Sequence, residues 1–319
     1  MPHNGCPHQC SFCNQRSITG KSYQPKSEDV VSAIKLAKDT LKEDTKNAQI
    51  AFFGGSFTAI DREYMLSLLE ATSPYIDSFN GIRISTRPDY IDDEILELLK
   101  KYKVTSIELG AQSMNDEVLK ANERGHTAQD VIDASSLIKS YGFELGLQMM
   151  TGLYKSNDDI DIQTAEKFIE IKPDTVRIYP TVVMKNTKLE ELYKNGEYIP
   201  PSLENAVNLC SKLLLQFDEN NIKVIRLGLH FSQSLETDMV AGAYHPSFKE
   251  LCESKILFDK VYEVLSNKKQ GKYNVKISPK CVSKLIGNNK SNIKKLKQLG
   301  YELNIIPDNS VQYMHIEIV

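Results

Sequence analysis

The stretch CPHQCSFC, residues 6–13, brings three cysteines close together at Cys6, Cys10 and Cys13. Their spacing is C-x3-C-x2-C, and an aromatic residue, Phe12, directly precedes the third cysteine. Three thiolates on one short loop can ligate three irons of a [4Fe–4S] cluster, so the fourth iron has no protein ligand. A small molecule can then bind that iron directly, and Phe12 can help to keep water away from the cluster.

An open iron is what reductive cleavage of S-adenosylmethionine requires, because the amino and carboxylate groups of this cofactor chelate it. The motif therefore predicts radical S-adenosylmethionine chemistry. A closed zinc site is the alternative, since His8 could join the three cysteines as a fourth ligand. A disulfide framework is not expected in a chain of 319 residues that shows no secretory signal before the loop.

The composition is typical of a globular protein with one large α/β domain and a small appendage: 41% of the residues are hydrophobic and 25% are charged. No apolar run is long enough to span a membrane, so no membrane partner is expected. A reducing, cytoplasmic compartment is expected and suits an oxygen-sensitive cluster. Cys210, Cys252 and Cys281 are far apart in the sequence and are expected to be small buried hydrophobic residues.

The net charge of −3 conceals an uneven distribution. Residues 266–300 contain ten lysines and no acidic residue. Three carboxylates follow, so residues 266–319 carry a net charge of +7, which leaves −10 for residues 1–265. Such an asymmetry within one chain indicates a polyanionic partner, and tRNA or another RNA is the expected one.

Short β-like runs alternate with amphipathic helical stretches, as in a parallel sheet built from βα units. The predicted strands are residues 49–53, 82–86, 106–109, 144–149, 175–179 and 223–227. The predicted helices are residues 27–41, 62–73, 92–102, 116–121, 128–141, 164–170 and 202–220. This order predicts a partial (β/α) barrel of the TIM type, with its chemistry at the C-terminal ends of the strands. Only five residues precede Cys6, so the strand that should lead into the cysteine loop is expected to be missing.

Glycine and polar residues follow the predicted strands directly. Gly54 and Gly55 would let the backbone approach a ligand closely. Arg87, after the next strand, would point into the barrel mouth unless it is a solvated surface residue. This end of the barrel is therefore predicted to bind the ligand.

The third strand ends in a carboxylate and an amide, Glu108 and Gln112. Such groups at the end of a buried strand need polar partners, and ribose hydroxyls are natural ones. Arg124 lies in the loop that follows and could pair bidentately with a carboxylate. His126, two residues later, is expected to be structural rather than catalytic.

These segments resemble the radical S-adenosylmethionine domain of the catalytic subunit of Elongator, a tRNA uridine-modifying enzyme. The resemblance extends over about residues 1–265 and includes the cysteine loop and residues 54–58, 85–89, 108–113, 124–127, 148–153 and 177–181. It implies a [4Fe–4S] cluster on the three cysteines, S-adenosylmethionine as the second cofactor, and a reductant such as flavodoxin or ferredoxin. The cofactor-binding residues that it implies are Gly54 and Gly55 at the methionine amino group, Glu108 and Gln112 at the ribose, Arg124 at the carboxylate, Met150 and Gly152 beside the adenine, and also Ser85.

Two departures from the Elongator subunit bear on the reaction. Residues 266–319 are too few for the acetyltransferase domain that supplies its acyl-CoA substrate, and the cysteine spacing is tighter. The resemblance therefore implies a tRNA-modifying transferase, whereas carboxymethylation of uridine does not carry over. A small-molecule radical enzyme of the oxygen-independent coproporphyrinogen oxidase type is an alternative, and a zinc-stabilised RNA-binding protein is another.

The lysine-rich end is predicted to be a small α+β module. Its expected strands are residues 272–277, 302–306 and 311–318, and its expected helices are residues 279–286 and 292–299. Between the helices, IGNNKSNI (residues 286–293) resembles the GxxG loop with which KH modules clamp a nucleic-acid backbone. Lys290 replaces the second glycine.

The candidate RNA contacts in this module are Gly287, Lys290, Lys294 and Lys297. Helical spacing places the three lysines on one side, near the loop. A solvated basic face on a packing or dimerisation module is the alternative. The predicted domains are a barrel over residues 1–230, its connecting extension over residues 231–265 and a KH-like module over residues 266–319.

Overall fold

The computed structural model describes residues 9–13, 24–231 and 233–319. Within these residues, six strands form the main sheet: β1 (Ile50–Phe52), β2 (Ile82–Thr86), β3 (Val104–Gln112), β4 (Glu144–Thr151), β5 (Thr175–Pro180) and β7 (Lys223–Leu227). All neighbours in this sheet are parallel, in the order β1-β2-β3-β4-β5-β7. A separate antiparallel ribbon pairs β6 (Val182–Met184) with β8 (Met239–Gly242).

Helices connect the strands. They are α1 (Ser27–Leu41), α2 (Arg62–Glu70), α3 (Asp93–Lys101), α4 (Asp116–Ala121), α5 (Ala128–Ser140), α6 (Asp158–Ile171), α7 (Lys188–Lys194), α8 (Leu203–Glu219), α9 (Gln233–Asp238) and α10 (Phe248–Ser266). Short polar side chains begin several of them by accepting a hydrogen bond from a first-turn N–H: Asp92, Asn115, Thr127, Asn157 and Ser202.

The sheet curls into a half-barrel with an apolar outer face and a polar inner face. Successive side chains of a strand point to opposite faces. Ile82 and Ile84 of β2 therefore pack in the main core beneath the helices, whereas Arg83 and Ser85 face inward. The other central strands alternate in the same way, which gives the half-barrel an interior suited to polar ligands.

A small C-terminal module follows α10. Its elements are β9 (Gly271–Ile277), α11 (Val282–Ile286), α12 (Ser291–Gln298), β10 (Tyr301–Pro307) and β11 (Ile316–Ile318). The central strand β9 is parallel to β10 and antiparallel to β11. Leu257, Val261 and Leu265 of α10 complete the apolar core of this module, while Phe248 and Cys252 of the same helix belong to the core of the barrel.

The structure confirms the predicted partial barrel and the order of its βα units. It also confirms that Cys210, Cys252 and Cys281 are buried, each 0% exposed. No helix of the described residues is long and apolar enough to cross a membrane.

Two expectations about elements need correction, and several elements were not predicted. Helix α6 begins at Asp158 rather than at residue 164, because Asn157 caps it and acidic residues fill its first turn. The strand expected at residues 311–318 forms only at Ile316–Ile318, since a turn with Met314 at φ 60° precedes it. Helices α7, α9 and α10 and the β6–β8 ribbon were not predicted.

Candidate functional site

Glu108 lies at the centre of a charged network inside the half-barrel. Its carboxylate is 1% exposed and accepts two hydrogen bonds from Arg177, from Nε at 2.6 Å and from Nη2 at 2.9 Å. Arg83 donates to it at 3.2 Å and Gln148 at 2.8 Å. A buried carboxylate is costly unless its charge is paired and its oxygens are hydrogen-bonded, and here both conditions are met.

The same network continues toward the N-terminal ends of the strands. Arg83 also donates to Glu144 at 2.8 Å and to Gln49 at 2.8 Å, and Ser106 donates to Glu144 at 2.6 Å. Although burial opposes ionisation, hydrogen bonds from Ser106 and Arg83 hold the pKa of Glu144 below its ordinary value. The polar interior is thus fixed by partners from five neighbouring strands or their flanks.

Arg124 joins the cysteine loop to the C-terminal end of β3. It is buried, donates from Nη1 to Cys10 Sγ at 3.1 Å and donates from Nη2 to the carbonyl oxygen of Gly110. Its guanidinium lies over the Phe12 ring, 5.9 Å from the ring centroid. The residue predicted to bind a carboxylate is therefore next to a predicted cluster ligand.

Asn122, at the end of α4, holds the same loop from the other side. Its Oδ1 accepts a hydrogen bond from Ser11 Oγ at 2.8 Å, and its carbonyl oxygen accepts the Ser11 N–H at 3.1 Å. The Cys13 N–H donates to the Cys10 carbonyl oxygen at 3.0 Å, which closes a tight turn. Cys6 and His8 lie outside the described residues, so both the three-cysteine set and the zinc alternative stay predictions.

Two buried polar atoms near Gly110 have no hydrogen-bond partner among the described residues: Gln112 Oε1 and Arg124 Nε. Gly110 leaves them room, because a Cβ there would lie 3.0 Å from Gln112 Nε2 and 3.5 Å from Arg124 Nη2. Buried polar groups normally have partners. One free acceptor and one free donor suit the hydroxyls and the carboxylate of S-adenosylmethionine, so the residues present fit this cofactor.

The glycine turn after β1 is fastened to the end of β2. Gly54 has φ 144°, in the region that favours glycine. Ser56 Oγ lies 2.8 Å from Thr86 Oγ1 and accepts the Arg87 N–H at 3.1 Å. Beside the turn, the Phe53 ring lies 4.9 Å from the Arg177 guanidinium. Gly54 and Gly55 are thus close to the Glu108 network.

Ser85, another predicted cofactor contact, also borders this network, because Gln148 donates to its hydroxyl at 3.2 Å. The structure therefore brings together the predicted residues of three strand ends. Sequence reasoning missed Arg83 and Glu144. The sequence did contain a signal for Arg83, because it lies between Ile82 and Ile84 of β2. An arginine between two buried isoleucines indicates a position that faces the inside of the half-barrel.

Arg87 does not face an open mouth. It is 3% exposed, donates to both oxygens of Asp89 at 2.9 Å and donates to the carbonyl oxygen of Arg124. His126 Nε2 lies 3.2 Å from the Ala111 carbonyl oxygen. Burial and the adjacent Arg124 and Arg87 lower the pKa of His126 to about 4, which keeps it neutral. Both side chains position the Arg124 loop.

The backbone of Gly152 is engaged within the protein. Its N–H donates to Asp161 at 2.7 Å, and its carbonyl oxygen accepts the Tyr198 hydroxyl at 2.6 Å. A Cβ at Gly152 would lie 2.4 Å from Pro201, so packing alone explains this glycine. The expected adenine contact at Met150 and Gly152 stays a prediction.

The loop between α11 and α12 has the backbone of a tight glycine turn. Gly287 has φ 79°, and a Cβ there would lie 2.9 Å from the Asn292 nitrogen. Asn289 and Lys290 are also left-handed, at φ 51° and 61°. Asn292 Nδ2 donates to the carbonyl oxygen of Ser254 at 2.9 Å and so attaches the loop to α10.

The candidate lysines differ in their surroundings. Lys290 and Lys294 are exposed, and neither forms an ion pair with another described residue. Lys297 lies 3.6 Å from Glu302, which also pairs with Lys272. Lys290 and Lys294 are therefore the better placed for a phosphate backbone.

The radical SAM superfamily model matches residues 1–168, and the radical SAM C-terminal domain model matches residues 173–257. The chain belongs to the radical SAM superfamily. It is therefore an enzyme, and the cofactors of its superfamily are a [4Fe–4S] cluster and S-adenosylmethionine.

Curated relatives carry names that refer to tRNA. The tRNA uridine(34) acetyltransferase of Methanocaldococcus jannaschii is 28% identical over 252 residues, 65% of this chain and 46% of that protein. Elongator complex protein 3 of Saccharomyces cerevisiae is 29% identical over 261 residues, 67% of this chain and 46% of that protein. The chain spans about half the length of these relatives.

Solved structures share the fold. An archaeal Elp3 from Methanocaldococcus infernus with an N-terminal deletion superposes with a TM-score of 0.61 at 24% identity, covering 76% of this chain and 60% of that one. Coproporphyrinogen III oxidase from Escherichia coli superposes with a TM-score of 0.51 at 17% identity, covering 69% and 51%. At these identities the likeness concerns the half-barrel alone.

Proposed function

We propose that this radical SAM enzyme modifies tRNA, acting on a base or a base-linked group. The observation that carries the radical chemistry is the contact of Arg124 with Cys10 and Gly110, which joins the cysteine loop to the polar strand ends. The names of the tRNA-acting relatives and the exposed lysines of the C-terminal module support the choice of substrate. This chain spans about half the length of each relative, so the chemical outcome of the reaction is not transferred.

When bound, the cluster and S-adenosylmethionine supply a 5′-deoxyadenosyl radical that abstracts a hydrogen atom from the substrate. Cys6, Cys10 and Cys13 would hold the cluster, and Arg124 and Gln112 would bind the carboxylate and the ribose of the cofactor. The unpartnered Arg124 Nε and Gln112 Oε1 are the atoms available for this task. Gly54 and Gly55 would receive the amino group.

Glu108 would act with its arginines. Because Arg177 and Gln148 occupy both of its oxygens, it can accept only a further weak hydrogen bond from a ribose hydroxyl. Its main contribution is to hold Arg177 and Arg83 in place on the inner face. Phe12, packed beside Arg124, would exclude water from the cysteine loop.

The enzyme is proposed to act in the cytoplasm, with a reductant and tRNA as its partners. It would receive its electron from a flavodoxin or a ferredoxin. The loop of residues 287–290 and the exposed Lys290 and Lys294 would bind the tRNA backbone, in the manner of a KH module. This assignment rests on the loop backbone and on the absence of ion pairs at these two lysines within the described residues.

The test uses anaerobically reconstituted protein with dithionite, S-adenosylmethionine and total tRNA. We expect 5′-deoxyadenosine and a mass change in one tRNA nucleoside, both lost in Cys10→Ala and retained in Cys281→Ala, whose thiol lies in the C-terminal core. Formation of 5′-deoxyadenosine without any change in tRNA, together with turnover of a porphyrinogen, would instead establish the small-molecule alternative.

A further inference from the structure

Two arginines lie side by side on the inner face of the half-barrel. Arg177 of β5 and Arg226 of β7 are register partners in a parallel strand pair. Like charges on neighbouring strands are unfavourable unless a counter-charge is present. Arg177 has its counter-charge in Glu108, whereas Arg226 forms no ion pair with any carboxylate of the described residues.

Glu108 cannot serve both arginines, because Arg177, Arg83 and Gln148 already occupy its two oxygens. Arg226 instead donates from Nε to the Gly228 carbonyl oxygen at 2.8 Å and from Nη2 to that of Leu229 at 2.5 Å. These bonds hold the guanidinium at the C-terminal end of β7. They leave Nη1 with no hydrogen bond to a described residue.

The groups around Arg226 would favour a bound anion. Burial lowers the pKa of Arg226, and the adjacent Arg177 lowers it as well. Burial and the same two arginines lower the pKa of His230, three residues beyond β7. The hydroxyl of Tyr244, which interacts electrostatically with Arg226, is buried and has no hydrogen-bond partner among the described residues.

We propose that Arg226 forms an anion subsite inside the half-barrel that binds a phosphate or a carboxylate of the substrate. A guanidinium pairs well with either group because both present two oxygens in one plane. Arg226 lies at the same edge of the sheet as Gln112 and the glycine turn, so the anion would orient the substrate toward the cofactor. This subsite deepens the proposed function and rests on it for the identity of the bound molecule.

An exposed aromatic residue lies four positions beyond the end of β7. Phe231 is 65% exposed. Unstacked RNA bases commonly stack on such rings. Because Arg226 and Phe231 lie in the same segment of chain, a nucleotide whose phosphate binds Arg226 could stack its base on this ring. A nucleotide is therefore favoured over a simple carboxylate as the source of the anion.

The test measures binding of three probes to reconstituted protein by equilibrium dialysis: uridine 5′-monophosphate, uridine and succinate. Wild type is expected to bind the monophosphate at least about tenfold more tightly than uridine, and Arg226→Gln is expected to lose this difference. Arg226→Lys keeps the charge without the planar fork and is expected to be intermediate. Lys223→Gln removes an exposed cation at the opposite end of β7 and is expected to bind like wild type.

Each outcome decides the proposal. Arg226-dependent binding of succinate but not of the monophosphate would assign the anion to a carboxylate. Equal affinity of wild type for the monophosphate and for uridine, with no Arg226-dependent binding of succinate, overturns the subsite whether or not Arg226→Gln folds. Formation of 5′-deoxyadenosine without substrate is measured on the wild type and on Lys223→Gln, and we expect the two proteins to form it equally. If the wild type formed no 5′-deoxyadenosine, the proposed function would be refuted. The binding of the three probes would still be interpretable.

Discussion

Arg124 donates a hydrogen bond to Cys10 Sγ at 3.1 Å across 114 positions of sequence. A cation that donates to a cluster thiolate withdraws electron density from the sulfur and thereby raises the reduction potential of the cluster. The same guanidinium has a buried Nε with no hydrogen-bond partner in the part of the chain that the structure describes. Under the proposed function, this one side chain would act on both the cluster and the second cofactor.

Replacement of Arg124 is expected to weaken cofactor binding and leave the cluster in place. Arg124→Ala should lower the affinity for S-adenosylmethionine by on the order of 2 kcal/mol, the scale of a lost charge-assisted pair, and lower the cluster potential. Equilibrium dialysis and a redox titration followed by electron paramagnetic resonance measure the two effects. The surface variant Arg62→Ala is the control, and wild-type affinity and potential in Arg124→Ala would contradict the assignment.

The cluster is expected to require Cys6, Cys10 and Cys13 and no other cysteine. Alanine at any one of the three should abolish 5′-deoxyadenosine formation, because each thiolate binds a different iron. Iron content and absorbance near ~400 nm after anaerobic reconstitution are the measurements. Equal iron loss in Cys210→Ala, Cys252→Ala or Cys281→Ala would show that the ligand set is different.

Removal of the Glu108 charge is expected to destabilise the half-barrel strongly. Glu108→Gln leaves Arg177 and Arg83 without their shared buried carboxylate, and breaking such a pair costs about 3 kcal/mol or more. Urea denaturation measures the free energy of unfolding. Glu94→Gln breaks the exposed pair with Arg62 and should change it by only about 0.5 kcal/mol. Similar losses in both variants would mean that the network is not buried in solution.

Asp161 is expected to make the protein less stable as the pH rises. Burial raises its pKa to about 7 from an ordinary value of 3.8. Between these two values the folded state holds a proton that the unfolded state has released, so the contribution to stability falls as pH increases through this window. Asp161→Asn should therefore gain stability relative to wild type at pH 8 and gain less at pH 5.5.

Urea denaturation of both proteins at the two pH values checks this expectation. Asp159→Asn, an exposed substitution on the same helix, is the control. A difference between Asp161→Asn and wild type that does not change with pH would mean that Asp161 is ionised throughout.

tRNA binding is expected to depend on Lys290 and Lys294. The double variant Lys290→Gln/Lys294→Gln should bind tRNA more weakly. The negative slope of log affinity against log salt concentration should become shallower by roughly 0.7–0.9 for each lost phosphate contact. Gel-shift titrations at several salt concentrations give both quantities. Lys272→Gln with Lys297→Gln is the matched control, since Glu302 pairs with both of these lysines. Equal effects of the two double variants would indicate a general charge effect.

Point substitutions are preferable to deletion of residues 266–319. That deletion would expose Leu257, Val261 and Leu265, which are buried in the core of the C-terminal module. Any loss of tRNA binding after the deletion would then combine a lost surface with a disturbed helix α10.

The sequence predicted the barrel well because βα periodicity and strand-end motifs are local signals. It indicated that Glu108 needs polar partners but not which ones, since Arg83, Gln148 and Arg177 come from three other strands. The burial of Arg87 depends on the carbonyl oxygen of Arg124, a contact that local sequence does not encode. Helix α10 was missed because it buries residues on opposite sides, so no single apolar stripe marks it.

Helix α10 also determines how the molecule unfolds. Phe248 and Cys252 fill the barrel core, while Leu257, Val261 and Leu265 fill the C-terminal core, and Asn292 bonds to the middle of the same helix. Disruption of either core therefore removes packing from the other. We therefore expect the barrel and the basic module to unfold as one cooperative unit, so that a lesion in either of them lowers the melting temperature of both.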